Sequence, residues 1–144
     1  MITPYYVPSL NAGGPVQSIK NLVKLMSNKF EFEIITSIFD HNSSVPYNNI
    51  KEYESYNNVV YLNQKSFLLL VKFMRIFINK KYDYIYLNSF FSISFSIIPI
   101  ILLRMFWRKS KVIISPRGEL SNSALELKSS LKKNIYIKLF NTFL

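Results

Sequence analysis

The sequence predicts an α/β fold in which a parallel sheet carries helices on both faces. One observation behind this prediction is that short apolar segments alternate with longer, helix-like segments along the chain. A second is a glycine pair, Gly13-Gly14, that separates the first apolar segment from the first helical one. A third is that polar residues such as Asn88 and Arg117 follow two of the later apolar segments, where strands of such a sheet end.

The first helix is predicted to begin at the Gly13-Gly14-Pro15 turn. Apolar residues then recur at the spacing of one helix face: Val16, Ile19, Leu22, Val23 and Met26. Pro15 suits a first helical turn, because the N–H that it lacks has no partner there. Two glycines allow a ligand to approach the backbone closely, and a helix N-terminus carries partial positive charge. The pattern therefore favours either an anion site, usually for phosphate, or a plain turn.

The later elements are predicted to alternate in type. The predicted strands are residues 32–37, 59–63, 82–88 and 111–115. The predicted helices are residues 66–79, 91–106 and 123–144, with Ser66 as the N-cap of the first of them. Residues 40–58 are polar and are predicted to form a long loop. The carboxyl ends of parallel strands share one edge, so the glycine turn, Asn88-Ser89 and Pro116-Arg117-Gly118 should converge on one crevice.

Arg117 is the side chain with the clearest binding chemistry in this predicted crevice. An arginine at the carboxyl end of a strand can hold an anion with two parallel hydrogen bonds. The alternative is that Arg117 pairs with Glu119 or caps a helix carbonyl. His41 is the one histidine of the chain and there is no cysteine, so we expect no metal site, no disulfide and no thiol chemistry.

Composition limits the class of protein and its partners. The 144 residues suffice for one domain with a core, and 49% apolar with 16% aromatic residues argues against disorder. The formal charge is +10, which suits nucleic acid, an anionic lipid surface or a phosphorylated substrate, or else a solvated basic surface. Several of the cations come late in the chain, among them Lys128, Lys132, Lys133 and Lys138.

Residues 84–103 carry no charge, and basic residues follow them. This length suits a membrane span, and the basic flank suits its cytoplasmic end. Serines, Asn88 and Pro99 interrupt the run, and its beginning fits a strand that ends near Asn88. The segment is therefore predicted to contain a strand and a buried crossover helix, with a membrane span or an interfacial helix as the alternatives.

Two motifs in this chain resemble those of family 4 glycosyltransferases. Residues 1–24 resemble the opening of that family's N-terminal domain: a strand, a proline-containing loop and a Gly-Gly turn into the first helix. The segment VIISPRGEL, residues 112–120, with the lysine-rich stretch after it, resembles a late motif of the same domain. The order and spacing of the two motifs agree across nearly all of the chain.

The resemblance implies one Rossmann-like half of a two-domain GT-B fold, with residues 1–144 as the N-terminal, acceptor-side domain. It implies a retaining transferase that uses a nucleotide-sugar donor and needs neither a cofactor nor a catalytic metal. Gly13 and Gly14 would contact the donor phosphates, and Asn88, Arg117 and Gly118 would line the acceptor side. Asn88 stands where the family often has a histidine, so no role of that histidine is carried over, and the catalytic residues stay unassigned.

The resemblance also implies partners and a location. The partners would be a nucleotide-sugar, a saccharide or lipid-linked acceptor, an anionic membrane surface and the C-terminal donor-binding domain, without which the chain should be inactive. The setting would be cell-surface polysaccharide or glycolipid synthesis on the cytoplasmic face of the cell membrane. A small basic membrane-associated protein without catalysis is the alternative. A nucleic-acid-binding domain ranks last, because no RNP-type run or helix-turn-helix is visible.

Overall fold

The computed structural model describes residues 1–48, 50, 58–105 and 110–121 of the chain. These residues form a mixed α/β structure with three α-helices and four short strands. The helices are α1 (Gly14–Met26), α2 (Leu69–Asn79) and α3 (Ile98–Met105). The strands are β1 (Ile34–Ser37), β2 (Val59–Leu62), β3 (Tyr84–Leu87) and β4 (Lys111–Ile114). A π-helical segment, Ile93–Ile97, leads directly into α3.

The strands form two parallel pairs, β1 with β2 and β3 with β4. Ile2 lies between the pairs and makes parallel bridges to Ile35 of β1 and Leu87 of β3. Its N–H donates to the carbonyl of Tyr86 at 2.7 Å, and its own carbonyl accepts from the N–H of Asn88 at 2.9 Å. The spatial order is therefore β2, β1, Ile2, β3 and β4.

In this order, the direction in which the chain adds strands reverses beside Ile2. From Ile2 the chain adds β1 and then β2 on one side, and later adds β3 and then β4 on the other side. In open parallel sheets, ligands bind outside the carboxyl ends of the strands where the order reverses. Thr3 and Asn88 directly follow the two segments that flank this point.

The strands bury side chains on both faces, and successive residues face opposite ways. Ile34 belongs to a cluster with Val59 and Tyr61 that packs against Ile19 of α1. The neighbouring Ile35 belongs to a second cluster with Phe73 and Phe77 of α2 and Leu102 and Leu103 of α3. Helices therefore pack on both faces of the strands, α1 on one face and α2 with α3 on the other.

The first helix begins as the sequence predicts, and α2 does not. Gly13 is the N-cap of α1, and Pro15 lies in its first turn. Ser66 is not the N-cap of α2. Its Oγ accepts a hydrogen bond from the N–H of Leu68 at 3.2 Å, and its backbone carbonyl accepts one from the N–H of Leu69 at 3.1 Å. A turn therefore precedes α2, and the helix begins three residues later than predicted.

The strands predicted at residues 32–37, 59–63, 82–88 and 111–115 are confirmed, each one shorter than expected. The first strand, expected before the glycine turn, is limited to the isolated bridges of Ile2. The predicted helix over residues 91–106 is instead a π-helical segment followed by α3, and the preceding charge-free residues form β3 and a loop. None of the helices in the described part of the chain has both the length and the apolar character needed to cross a bilayer. The predicted helix at 123–144 and most of the second half of the loop at 40–58 lie outside the described residues.

Candidate functional site

Three side chains join the strand ends where the sheet order reverses. Asn88 follows β3 and is only 5% exposed. Its Nδ2 donates to the Oγ1 of Thr3 at 3.3 Å, and its Oδ1 accepts from the Nε of Arg117 at 2.6 Å. Thr3 in turn donates from Oγ1 to the carbonyl of Tyr5 at 3.0 Å. One continuous chain of hydrogen bonds therefore connects the ends of the Ile2 segment, β3 and β4.

Arg117 is an exposed residue that contacts Asn88 through a single guanidinium nitrogen, Nε. No carboxylate of the described residues forms an ion pair with it. Its backbone φ is +50°, a left-handed conformation that is uncommon outside glycine, and Gly118 follows at +81°. The two Nη nitrogens, held in place through Nε, form an edge that matches a phosphate or carboxylate.

Glu119 does not pair with Arg117 but fastens the β4 loop to the β3 loop. Its Oε1 accepts from the Oγ of Ser89 at 2.9 Å. Its Oε2 accepts from the N–H of Phe90 and, at 3.4 Å, from that of Phe91. The alternative in which Glu119 neutralises Arg117 is therefore not the arrangement found. The carboxylate instead satisfies donors just before the π-helical segment.

The glycine turn forms a second group at the carboxyl edge. Gly13 has φ +51° and ψ −120°, a conformation that residues with a Cβ rarely adopt. Gly14 is helical, and apart from adjacent residues and the backbone of the helix no atom lies within 4 Å of the position that a Cβ would occupy on either glycine. Both residues are exposed. The start of the 13-residue helix α1 is thus open to a ligand, as an anion site would require.

Asp40, in the loop after β1, holds the segment that precedes this turn. One carboxylate oxygen accepts from the Oγ of Ser9 and from the N–H of His41, the latter at 2.7 Å. The other accepts from the N–H groups of Leu10 and Asn11 at 3.1 and 3.3 Å, and from the Asn11 Nδ2 at 3.1 Å. Burial alone would raise the pKa of Asp40, but these hydrogen bonds outweigh it, and the pKa lies below its ordinary value.

The predicted site residues fall into two groups at the same edge of the sheet. Asn88 and Arg117 are in direct contact, and Gly118 lies in the same turn as Arg117. Gly13 and Gly14 belong to the other group, and no hydrogen bond within the described ranges joins them to Arg117 or Asn88. The single crevice that the sequence predicts thus stays a prediction, while the pairing of two of its members is found.

The structure adds three residues that the sequence analysis did not assign to the site: Thr3, Asp40 and Glu119. Thr3 follows the bridging residue Ile2, Asp40 follows β1 and Glu119 follows β4, and each carries an oxygen that can accept a hydrogen bond. That position is the signal that could have identified them, because polar groups there meet at one edge. His41 is exposed and stacks edge-on against Tyr5 at 5.2 Å. The described residues contain no group of three potential metal ligands.

Comparison of the chain with protein-family models, with curated proteins and with solved structures finds no match. Function is therefore inferred from the chemistry of the site and from the motifs in the sequence.

Proposed function

We propose that the chain is the acceptor-side, N-terminal domain of a retaining glycosyltransferase, with a Rossmann-like sheet that forms one half of a GT-B fold. In this proposal it helps to move a sugar from a nucleotide-sugar to a saccharide or lipid-linked acceptor. The order β2, β1, Ile2, β3, β4, with helices on both faces, supports the Rossmann-like assignment. The motifs at residues 1–24 and 112–120 support the choice of family.

The observation that carries the proposal is the Asn88–Arg117 pair at the reversal of the sheet order. Asn88 is buried, and its amide group is engaged on both sides, by Thr3 and by Arg117. It therefore acts through Arg117 by fixing the orientation of the guanidinium group. Arg117 is exposed and is the group that would contact a phosphate or carboxylate of the acceptor. The left-handed turn at Arg117 and Gly118 gives the guanidinium group its place at the edge.

The glycine turn takes the donor side in this proposal. Departure of the nucleotide leaves negative charge on a diphosphate, and backbone N–H groups at a helix N-terminus can stabilise that charge. Gly14 has open space around it, so the diphosphate could approach the backbone closely. The nucleoside would be held by the donor-binding domain of the two-domain enzyme. We therefore expect the 144-residue chain by itself to bind nucleotide-sugars weakly and to transfer no sugar.

A nitrogen-15 NMR titration of the purified chain tests both sides of the proposed site. A nucleoside diphosphate should shift the amide signals of Gly13, Gly14 and Val16 in the millimolar range. Gly14→Val should abolish these shifts, because its side chain would fill the open space at the turn. Ser18→Val is the matched control, since it places the same side chain at an exposed position of α1 one turn later.

The acceptor side is tested in the same way with a phosphorylated saccharide. The Nε–H signal of Arg117 should shift, and Arg117→Ala should remove the binding while Arg75→Ala on α2 retains it. Two results would contradict the proposal. One is a nucleoside diphosphate that binds at micromolar concentration or below, which an acceptor-side domain by itself should not allow. The other is an absence of shifts at both groups at millimolar ligand.

A further inference from the structure

Helix α2 is apolar on its outer side as well as on its inner side. Its inner residues Leu69, Phe73 and Phe77 are buried in the core. Several large apolar side chains of the helix and of the turn before it are instead exposed: Phe67 (96%), Leu68, Leu70, Val71 and Ile78. A surface helix normally presents polar residues to solvent, and clustered exposed apolar residues mark an interaction site.

Helix α1 of the same chain shows the usual pattern and serves as an internal comparison. Its buried residues are Val16 and Ile19. Most of its exposed residues are polar: Gln17, Ser18, Lys20, Asn21 and Lys24. Leu25 is the large apolar exception. The apolar outer side of α2 is therefore a property of that helix and not of the surface in general.

The charged residues of α2 and of the turn before it are all positive. Lys72 and Arg75 are exposed on the helix, and residues 63–79 contain no aspartate or glutamate. Helix α3 packs beside α2, adds exposed Ile101 and Met105, and likewise has no acidic residue. The partner that fits this surface carries negative charge and accepts apolar side chains.

We propose that the outer side of α2, together with the exposed residues of α3, docks on an anionic lipid surface. Apolar side chains would enter the boundary between headgroups and acyl chains, and Lys72 and Arg75 would meet the lipid phosphates. The 11 residues of α2 span about 16 Å, and their inner side is fixed on the sheet, so the helix can lie flat on the membrane. This docking goes beyond the proposed sugar transfer and does not depend on it.

Sedimentation of the chain with lipid vesicles tests the surface. The chain should sediment with phosphatidylcholine vesicles that contain phosphatidylglycerol, should not do so with phosphatidylcholine alone, and should be released by high salt. Lys72→Gln/Arg75→Gln should weaken binding by roughly tenfold or more, since each cation near such a surface contributes strongly. Val71→Ser/Ile78→Ser should weaken it at every salt concentration. Lys20→Gln/Lys24→Gln is the matched control for net charge and should bind nearly as the wild type does.

Site-specific fluorescence gives a second measurement that does not depend on affinity. The chain has no cysteine, so Phe67→Cys and Leu25→Cys can each be labelled with one environment-sensitive dye. Anionic vesicles should shift the emission of the dye at position 67 to shorter wavelength and leave that at position 25 unchanged. Far-ultraviolet circular dichroism and urea unfolding confirm that each variant is folded.

Several outcomes would overturn the assignment. Equal loss of binding in the α1 control would show attraction by net charge alone. A second outcome is that Lys72→Gln/Arg75→Gln binds as the wild type does, while binding is lost when four late lysines are replaced by Gln: Lys128, Lys132, Lys133 and Lys138. This result would show that the late lysines, and not α2, bind the lipid. A dimer in analytical ultracentrifugation that Val71→Ser/Ile78→Ser dissociates, without change in vesicle binding, would show that a second copy covers this side. Retention after carbonate washing would indicate an inserted segment.

Discussion

Removal of the Glu119 carboxylate should destabilise the fold and loosen the loop after β4, which carries Arg117. In Glu119→Ala the Oγ of Ser89 and the N–H of Phe90 lose their acceptor, and the weaker contact to Phe91 is lost as well. The Asn88–Arg117 hydrogen bond, which also joins these two loops, would remain.

The magnitude follows from the geometry of these contacts. A hydrogen bond to a charged group contributes about 1.5–3 kcal/mol, and about 1 kcal/mol when partly solvated or long. Two good contacts and one at 3.4 Å in a part-buried setting therefore suggest a loss of about 2–3 kcal/mol in the free energy of unfolding. For a domain of this size the melting temperature should fall by roughly 5–10 °C.

Urea unfolding followed by circular dichroism measures this loss directly. Glu119→Gln keeps one neutral acceptor and should lose about half as much as Glu119→Ala. Glu31→Ala is the control, because Glu31 is an exposed glutamate whose side chain has no hydrogen bond or ion pair with the described residues. If Glu119→Ala and Glu31→Ala differ by less than about 0.5 kcal/mol, the carboxylate does not fasten the two loops and the reasoning fails.

Three further predictions concern stability. Burial lowers the pKa of the Met1 amine to about 6, against a partial rise from Glu33. Unfolding therefore takes up a proton between about pH 6 and 8, so stability should rise over that range by up to about 2–3 kcal/mol, and acetylation should remove the rise. Gly13→Ala should cost about 1–3 kcal/mol because of its positive φ, whereas Gly14→Ala should be neutral or slightly stabilising in urea unfolding. Because the pKa of Asp40 is lowered, its carboxylate stabilises the fold above the ordinary carboxyl pKa, and this stabilisation is lost in acid. Asp40→Asn should therefore make the free energy of unfolding depend less on pH at the acid end of the profile.

The sequence predicted the strands and α1 well because their signals are local and repeated. An apolar run indicates a strand, and a glycine turn followed by apolar residues at a 3.6-residue spacing indicates a helix. Both signals involve only residues within one element or next to it. The predicted ends were less accurate, because strand ends depend on pairing. Each observed strand consists of the four residues that stand in register with the neighbouring strand.

The division of the predicted helix at residues 91–106 has a local cause that periodicity does not show. The carbonyl of Ser92 accepts from the N–H of Ile97 at 3.0 Å, five residues on, which is the π-helical spacing. Pro99 has no N–H to donate to the carbonyl of Phe95, so the regular α-helical pattern cannot cross that point. A proline and several serines within an apolar run therefore give a shorter α-helix than hydrophobicity alone suggests.

The partner of Arg117 could not be read from the sequence for a topological reason. The sequence offers Glu119, two residues away, whereas the structure shows Asn88, 29 residues away in the chain. The left-handed turn at Arg117 and Gly118 separates the two side chains, and Glu119 finds backbone donors on the β3 loop. Long-range pairs of this kind depend on which strands are neighbours, and here β3 and β4, which Asn88 and Arg117 follow, are paired directly.

The two proposals can be connected by a measurement at Ile93. The Phe67 turn follows β2 and Arg117 follows β4, so both lie at the carboxyl edge, but four strand spacings, about 19 Å, separate β2 from β4. Ile93 is 68% exposed at the start of the π-helical segment, after β3 and thus nearer to Arg117. If the lipid surface extends along this edge, a dye on Ile93→Cys should respond to anionic vesicles as the dye at position 67 does, and a lipid-borne acceptor phosphate would come within reach of Arg117. A response at position 67 with none at position 93 would show that α2 alone touches the membrane, and an acceptor at Arg117 would then have to come from solution.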